Sequence, residues 1–245
     1  MALDSDLVQL ALDGPLARVT FNRPHVLNAG DRAWISALGA TVRALQAAPG
    51  VRVVVLGGAG RAFSTGVDLT ALAHGRVALA DLRAWEDAMT ALERLPAAVI
   101  AGINGHCLGG GLQLALVADY RLAREDALIG LPAVKECLIP SMALYRLPRL
   151  IGLSRAQELL LLGESIPARE AERLGLLHRV VPGAEFSAAL EATVARFLAL
   201  PPTSLAACKQ LSRRAFDLGF DDFREEMERA LSACLLSPED RKSVV

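Results

Sequence analysis

The chain has 245 residues, carries 26 Lys and Arg against 27 Asp and Glu, and draws 53% of its residues from the apolar set. That length suits one large domain, or a domain with an appendage, and it can bury a sizeable core. A net charge of −1 with only 2 Trp, 2 Tyr and 7 Phe argues against nucleic acid as the main partner, because cationic surface and stacking platforms are both scarce.

Residues 7–12 and 16–21 are short apolar segments around Asp13-Gly14-Pro15, which predicts a hairpin with turn chemistry at its tip. Over 31–48, Ile35, Leu38, Val42 and Leu45 recur at steps of three and four and stop at Pro49-Gly50, the pattern of a terminated amphipathic helix. Residues 51–56 form a β-branched run that suits a strand buried on both faces, opening into a loop over 57–66. Leu82, Trp85, Met89 and Leu92 repeat the helical spacing up to Pro96. Residues 97–103 read as a second buried strand, 111–118 as a helix, and 119–123 and 127–131 as further short strands. From Ser154 onward Ala, Leu, Glu and Arg dominate, predicting helices near 154–162, 168–174, 184–200, 203–217 and 221–236. The fold class is therefore α/β, with a body over 1–182 and a helical region over 183–245 that begins at a soft change of character near Pro182-Gly183.

Residues 95–118 hold no charge and are long enough to span a bilayer. They contain Gly102, Gly105, Gly109, Gly110 and Gly111, each of which weakens a helix by roughly 1 kcal/mol relative to Ala. A strand, a tight turn and a helix start fit better, and no membrane partner is expected. Asp4 and Asp6 with no basic stretch before an apolar core give no sign of a signal peptide, so a cytoplasmic location is expected. Cys107, Cys137, Cys208 and Cys234 form no C-x-x-C pair and have no His at ligand spacing, so neither a metal site nor a disulfide framework is signalled.

Two segments are rich in small residues, Gly57 to Asp68 and Asn104 to Gly111. Neither carries the G-x-G-x-x-G of a dinucleotide site or the G-K-[ST] of a P-loop, and Gly163-Glu164-Ser165-Ile166-Pro167 lacks the last glycine of a nucleophile elbow. What remains is backbone chemistry. Glycines between a strand end and a helix start leave N–H groups free to meet a ligand oxygen, and two converging on one carbonyl form an oxyanion hole. The same glycines serve equally well to permit tight turns and close packing.

Asn22-Arg23-Pro24-His25-Val26-Leu27-Asn28-Ala29, Ala62-Phe63-Ser64-Thr65-Gly66-Val67-Asp68-Leu69 and Ile103-Asn104-Gly105-His106-Cys107-Leu108-Gly109-Gly110-Gly111 occur in the order and spacing of one known family. Gly130-Leu131-Pro132, Ile139-Pro140, Ala168 to Leu176 and Val180-Val181-Pro182 follow in the same order. The chain thereby resembles the enoyl-CoA hydratase/isomerase (crotonase) superfamily over essentially its whole length. The resemblance implies a spiral of ββα repeats and a C-terminal helical region that drives assembly into a homotrimer or a dimer of trimers. It also implies an acyl-CoA ligand as substrate, with no further cofactor. By position, the oxyanion donors are the backbone N–H groups of Val67 and Gly110. The CoA and its thioester would lie along His25, Leu27, Ala62, Ser64, Thr65, Gly66, Asp68 and Leu69 and along His106, Leu108, Gly109, Pro132 and Ala133.

The carboxylates that the resemblance calls for are missing. The two glutamate positions of a hydratase fall on Gln113 and Ala133, and a third acidic position used by some relatives falls on Ser141. A general acid or base contributes about 10²–10⁴-fold, and neither Gln nor Ala transfers a proton at neutral pH. Gln113 still can hold a water through its amide. Glu136, three residues beyond Ala133, either replaces the missing carboxylate or sits on a solvated or subunit-contact face. His74 is a second candidate for proton transfer, in the segment after Leu69. Ser141 and Tyr145 are candidate hydrogen-bond donors to a polar acyl group, and His178 reads as structural. Two functions remain open. One is an atypical hydratase, isomerase or decarboxylase acting through a thioester enolate; the other is a catalytically silent acyl-CoA binder.

Overall fold

The computed structural model describes residues 6–237, so Asp4 of the amino-terminal reading lies outside them. A hairpin of β1 (Val8–Asp13) and β2 (Leu16–Phe21) precedes α1 (Arg32–Gln46), β3 (Val53–Gly58), β4 (Ala62–Ser64), α2 (Leu69–Ala73) and α3 (Leu79–Glu93). Next come β5 (Ala98–Ile103), β6 (His106–Leu108), α4 (Gly110–Leu116), β7 (Tyr120–Arg124) and β8 (Leu128–Gly130). The chain continues with α5 (Ala143–Ile151), α6 (Leu153–Leu162), β9 (Ser165–Pro167), α7 (Ala168–Arg173), β10 (Arg179–Val181), α8 (Phe186–Leu198), α9 (Pro202–Arg214) and α10 (Phe220–Leu236).

Two sheets result, ordered β1-β2-β3-β5-β7-β10 and β4-β6-β8-β9. Each of β3, β5 and β7 is followed by a short strand in the other sheet, so the chain winds forward by alternating between them. All pairings are parallel except β1 with β2 and β8 with β9. The β-branched run of β3 sits mid-sheet, where successive side chains point to opposite faces. Val54 and Leu56 enter the main core with Val99 and Ala101 of β5. Val53 and Val55, with Ala98 and Ile100, pack against Val194 of α8. Both faces of the large sheet are therefore covered, which is why its central strands read as uninterrupted apolar runs.

The charge-free stretch 95–118 becomes β5, β6 and the short α4, and no described helix is long and apolar enough to cross a membrane. On the main-core side, α1 begins where the Asp31 carboxylate accepts the Trp34 N–H at 2.9 Å. Trp34 is fully buried, with its ring 5.4 Å from Phe21 and 5.0 Å from Trp85 of α3. The indole therefore ties the hairpin, α1 and α3 together. Trp34→Ala is expected to cost about 3–5 kcal/mol, seen as a lower denaturant midpoint with an unchanged slope.

Candidate active site

The turn after β6 is built by three glycines with different duties. Gly109 has φ +54 and ψ −123, a conformation closed to residues with a Cβ, and its N–H donates to the Gly130 carbonyl at 2.9 Å. At Gly111 a Cβ would stand 2.0 Å from the Ser64 carbonyl oxygen. Gly110, between them, opens α4, and its N–H bonds to no described residue. Across from it, Gly66 has φ +91, and a Cβ there would lie 2.5 Å from the Gly110 nitrogen. The two turns are thus in backbone contact.

The loop carrying Val67 is held by bonds that leave the Val67 N–H unused among the described residues. The Gly30 N–H donates to the Gly66 carbonyl at 2.8 Å, and the Asp68 N–H donates to the Gly30 carbonyl at 3.0 Å. Ser64 Oγ donates to the Asn28 carbonyl at 2.9 Å and accepts the Gly66 N–H at 3.2 Å. Leu27 and Asn28 both adopt left-handed φ, 56 and 57, and the Thr65 N–H donates to the Leu27 carbonyl at 3.1 Å. Asn28 is completely buried; its amide donates to the Ala59 and Ala62 carbonyls, and its oxygen accepts the Arg23 N–H. Arg23 pairs with Asp31 at 3.1 Å and Asp68 at 3.4 Å. Asn28 and Arg23 position this loop, and the sequence reading assigned neither a role; a buried amide that saturates three backbone groups leaves no periodic trace.

Val67 and Gly110 line one cavity of about 320 Å³. Thr65, Leu69, Gly109, Gln113, Pro132, Ala133, Glu136 and Ser141 line it too. Leu82, Trp85 and Met89 of α3, with Leu72, Leu79 and Leu138, make its walls apolar. Leu82, Trp85 and Met89 are legible in sequence only as a helical stripe, because one apolar face serves both core and cavity. Gln113 is 8% exposed, and its Oε1 is buried without a partner. The Trp85 Nε1 is likewise buried and unpartnered. Buried polar atoms of this kind call for an explanation, and a ligand group supplies one. Glu136 is exposed and still borders the cavity, so the two alternatives for it are one position at the rim. It is the sole carboxylate among the lining residues.

Other candidates lie elsewhere. His74 is exposed at the end of α2 with Nδ1 2.7 Å from the Thr70 carbonyl, outside the cavity lining, so it is not positioned for proton transfer there. Tyr145 donates to Asp217 at 2.6 Å and lines a different cleft, away from the cavity of Val67 and Gly110. Ala62 and Ser64 are fully buried, which removes them as ligand contacts and makes them scaffold. Asp68 caps α2 through the Ala71 N–H at 3.0 Å. His25 is exposed and Leu27 half-buried on the preceding turn, while His106 and Leu108 belong to β6; none of these four lines the cavity. Cys107 beside the turn is fully buried, and burial pushes its thiol pKa up, so no thiolate nucleophile stands there. His178 accepts the Arg121 N–H at 3.2 Å and stacks on Tyr120 at 4.7 Å.

A family model described as enoyl-CoA hydratase/isomerase matches residues 13–243. A probable enoyl-CoA hydratase of Mycobacterium bovis is 36% identical over 217 residues, 84% of this chain and 75% of that protein. A carnitinyl-CoA dehydratase of Salmonella arizonae is 32% identical over 221 residues, 89% of this chain and 84% of its own. A candidate enoyl-CoA hydratase of Thermobifida fusca, solved in complex with CoA, superimposes with TM-score 0.84 at 31% identity, covering 94% of this chain and 93% of that one. The two interlocking sheets, the glycine turn of α4 and these matches place the chain in the enoyl-CoA hydratase/isomerase family.

Asn28→Ala leaves several buried backbone groups unpaired at about 1–3 kcal/mol each. A loss of at least about 3 kcal/mol in denaturant-measured stability is expected, with weaker CoA-ester binding by calorimetry as the loop loosens.

Proposed function

We infer that the protein is a CoA-thioester enzyme that forms a thioester enolate between the N–H groups of Val67 and Gly110 and moves a proton with one carboxylate, Glu136. The observation that carries this reading is the pair of N–H groups, unpartnered among the described residues, on two touching turns that line one cavity. Each such donor is worth about 2.7–4 kcal/mol when aimed at developing negative charge. The CoA-bound relative supports the ligand class.

The cavity favours proton transfer within the acyl chain over addition of water. Hydration in the family, as the resemblance implies it, uses two glutamates, and here those positions hold Gln113 and Ala133. A 1,3-proton shift needs one. The Glu136 carboxylate takes the α-proton of a β,γ-unsaturated thioester; the pair of that C–H bond becomes the π bond between the α-carbon and the carbonyl carbon, and the carbonyl π pair moves onto the thioester oxygen as the dienolate forms. The two N–H groups stabilise that oxygen, and the resulting carboxylic acid returns the proton to the γ-carbon. The apolar walls exclude water, which strengthens both donors. Gln113 Oε1 is free to accept a hydrogen bond from the acyl group or a bound water.

A second reading, an acyl-CoA binder without turnover, is favoured by the exposed position of Glu136. A panel of β,γ-enoyl, α,β-enoyl and malonyl-type CoA esters separates the two, with product followed by mass spectrometry and binding by calorimetry. Turnover of a β,γ-enoyl ester is expected, with Glu136→Gln lowering kcat by about 10²–10⁴-fold while KM changes little. Gly110→Pro removes one N–H, and its ring also crowds Trp85 and the Gly66 backbone, 3.0 and 3.2 Å from a Cβ at this position, so kcat should fall by more than the about 10²–10³-fold expected for the lost donor alone. Binding without any product supports the silent reading; release of CO₂ from a malonyl-type ester would replace the proton shift with decarboxylation at the same oxyanion pair.

A further inference from the structure

A second cleft, of about 500 Å³, lies between α5, α9 and the start of β7. Its floor is cationic and mostly dry. Arg121 is 3% exposed, Arg146 is 7% and Lys209 is 8%. A chain of ion pairs accounts for most of this charge. Arg146 meets Glu86 at 2.8 Å and Glu93 at 2.9 Å, Arg213 joins Glu93 to Asp119, and Lys209 meets Asp119 at 2.8 Å. Three cations thus face three carboxylates, and Arg149 at the edge has Asp217 at 3.0 Å.

Arg121 is the cation left over. Its Nε and Nη1 donate to the carbonyls of Leu176 and Ala118, both at 2.7 Å, and its Nη2 donates to no described residue. Asp119 is the nearest candidate for a counter-charge, but its carboxylate is already shared among Lys209, Arg213 and the Val99 N–H. Burial and the charge of Arg213 bring the Arg121 pKa down to about 10, which still leaves it protonated at neutral pH. On the same floor Arg146 Nη1 is buried without a partner. A buried guanidinium lacking a counter-ion is costly, and the usual resolution is an anion in hydrogen-bond reach. Above the floor the cleft is walled by Leu116, Leu150, Phe197, Leu205 and Phe216. Inorganic phosphate would satisfy the floor and leave those walls wet, whereas an alkyl carboxylate satisfies both.

We propose that this cleft binds a small organic carboxylate, whose head group supplies the counter-charge that Arg121 lacks and whose alkyl body packs against the apolar walls. The site is separate from the cavity beside Gly110. Its test is calorimetry and thermal unfolding of the full chain with sodium hexanoate, sodium phosphate and sodium chloride at matched ionic strength. Hexanoate is expected to bind at one site per chain, to raise the Tm by several degrees, and to bind at least tenfold more tightly than phosphate. Ser212 is an exposed lining residue on α9, and Ser212→Glu places a tethered carboxylate in the cleft. That variant should lose hexanoate binding at least tenfold and keep its affinity for CoA esters. Arg121→Met should lose hexanoate binding as well; if it does not fold, Ser212→Glu decides alone. Hexanoate acting no better than chloride, phosphate binding as tightly as hexanoate, or hexanoate binding undiminished in Ser212→Glu would each overturn the proposal, the last by placing the ligand elsewhere.

Discussion

The contact of main chain with main chain between the Gly66 and Gly110 turns is the constraint on which the site depends. With a Cβ at Gly111 2.0 Å from the Ser64 oxygen, and one at Gly66 2.5 Å from the Gly110 nitrogen, neither turn admits a side chain without displacing the other. That proximity brings the end of β4 against the start of α4 and sets two N–H groups on one cavity. Donors of this kind are as rigid as the fold and carry no pKa. They persist whichever side chains stand at positions 113, 133 and 141.

Helix α3 divides the molecule's chemistry in two. Leu82, Trp85 and Met89 line the cavity beside Gly110, while Glu86 and Glu93, four residues beyond Leu82 and Met89, feed the ion-pair chain under α5 and α9. The cavity is kept poor in charge, which strengthens the two backbone donors. In the second cleft Arg146, Lys209 and Arg213 fasten α5 and α9 to the body through carboxylates of α3 and Asp119. Breaking one member of such a buried set is severe, because its partner is left charged and dry.

The long elements were legible because their periodicity is strong. The hairpin, α1, β3, α3, β5 and the later helices follow from apolar spacing and from Gly and Pro punctuation, with ends within a few residues of those observed. Of the five three-residue strands among the described residues, β8 falls within the strand read over 127–131, whereas β4, β6, β9 and β10 were not legible, since segments so short show no period and exist only through their ladder partners. Helix α5 was hidden by Pro148 inside it and by an exposed face that includes Leu144 and Tyr145. In the site, glycine spacing and the family resemblance pointed to Val67, Gly110 and Gln113, all of which border one cavity. Side-chain direction was beyond reach: nothing local says that Glu136 borders the cavity, that His74 turns back on Thr70, or that Ala62 and Ser64 are sealed inside. Such facts depend on which distant strand or turn lies alongside.

Cys107 lies in β6 directly before the glycine turn, fully buried, while Cys137 and Cys208 are exposed. The strand pairs with both β4 and β8 and its thiol is packed into the main core, so it meets solvent only when that core opens at the smaller sheet. The molecule thereby carries a built-in clock. The rate at which this one sulfur is alkylated, after the exposed thiols and the half-buried Cys234 have reacted, measures how often the core beneath the site opens, independently of whether any substrate is turned over.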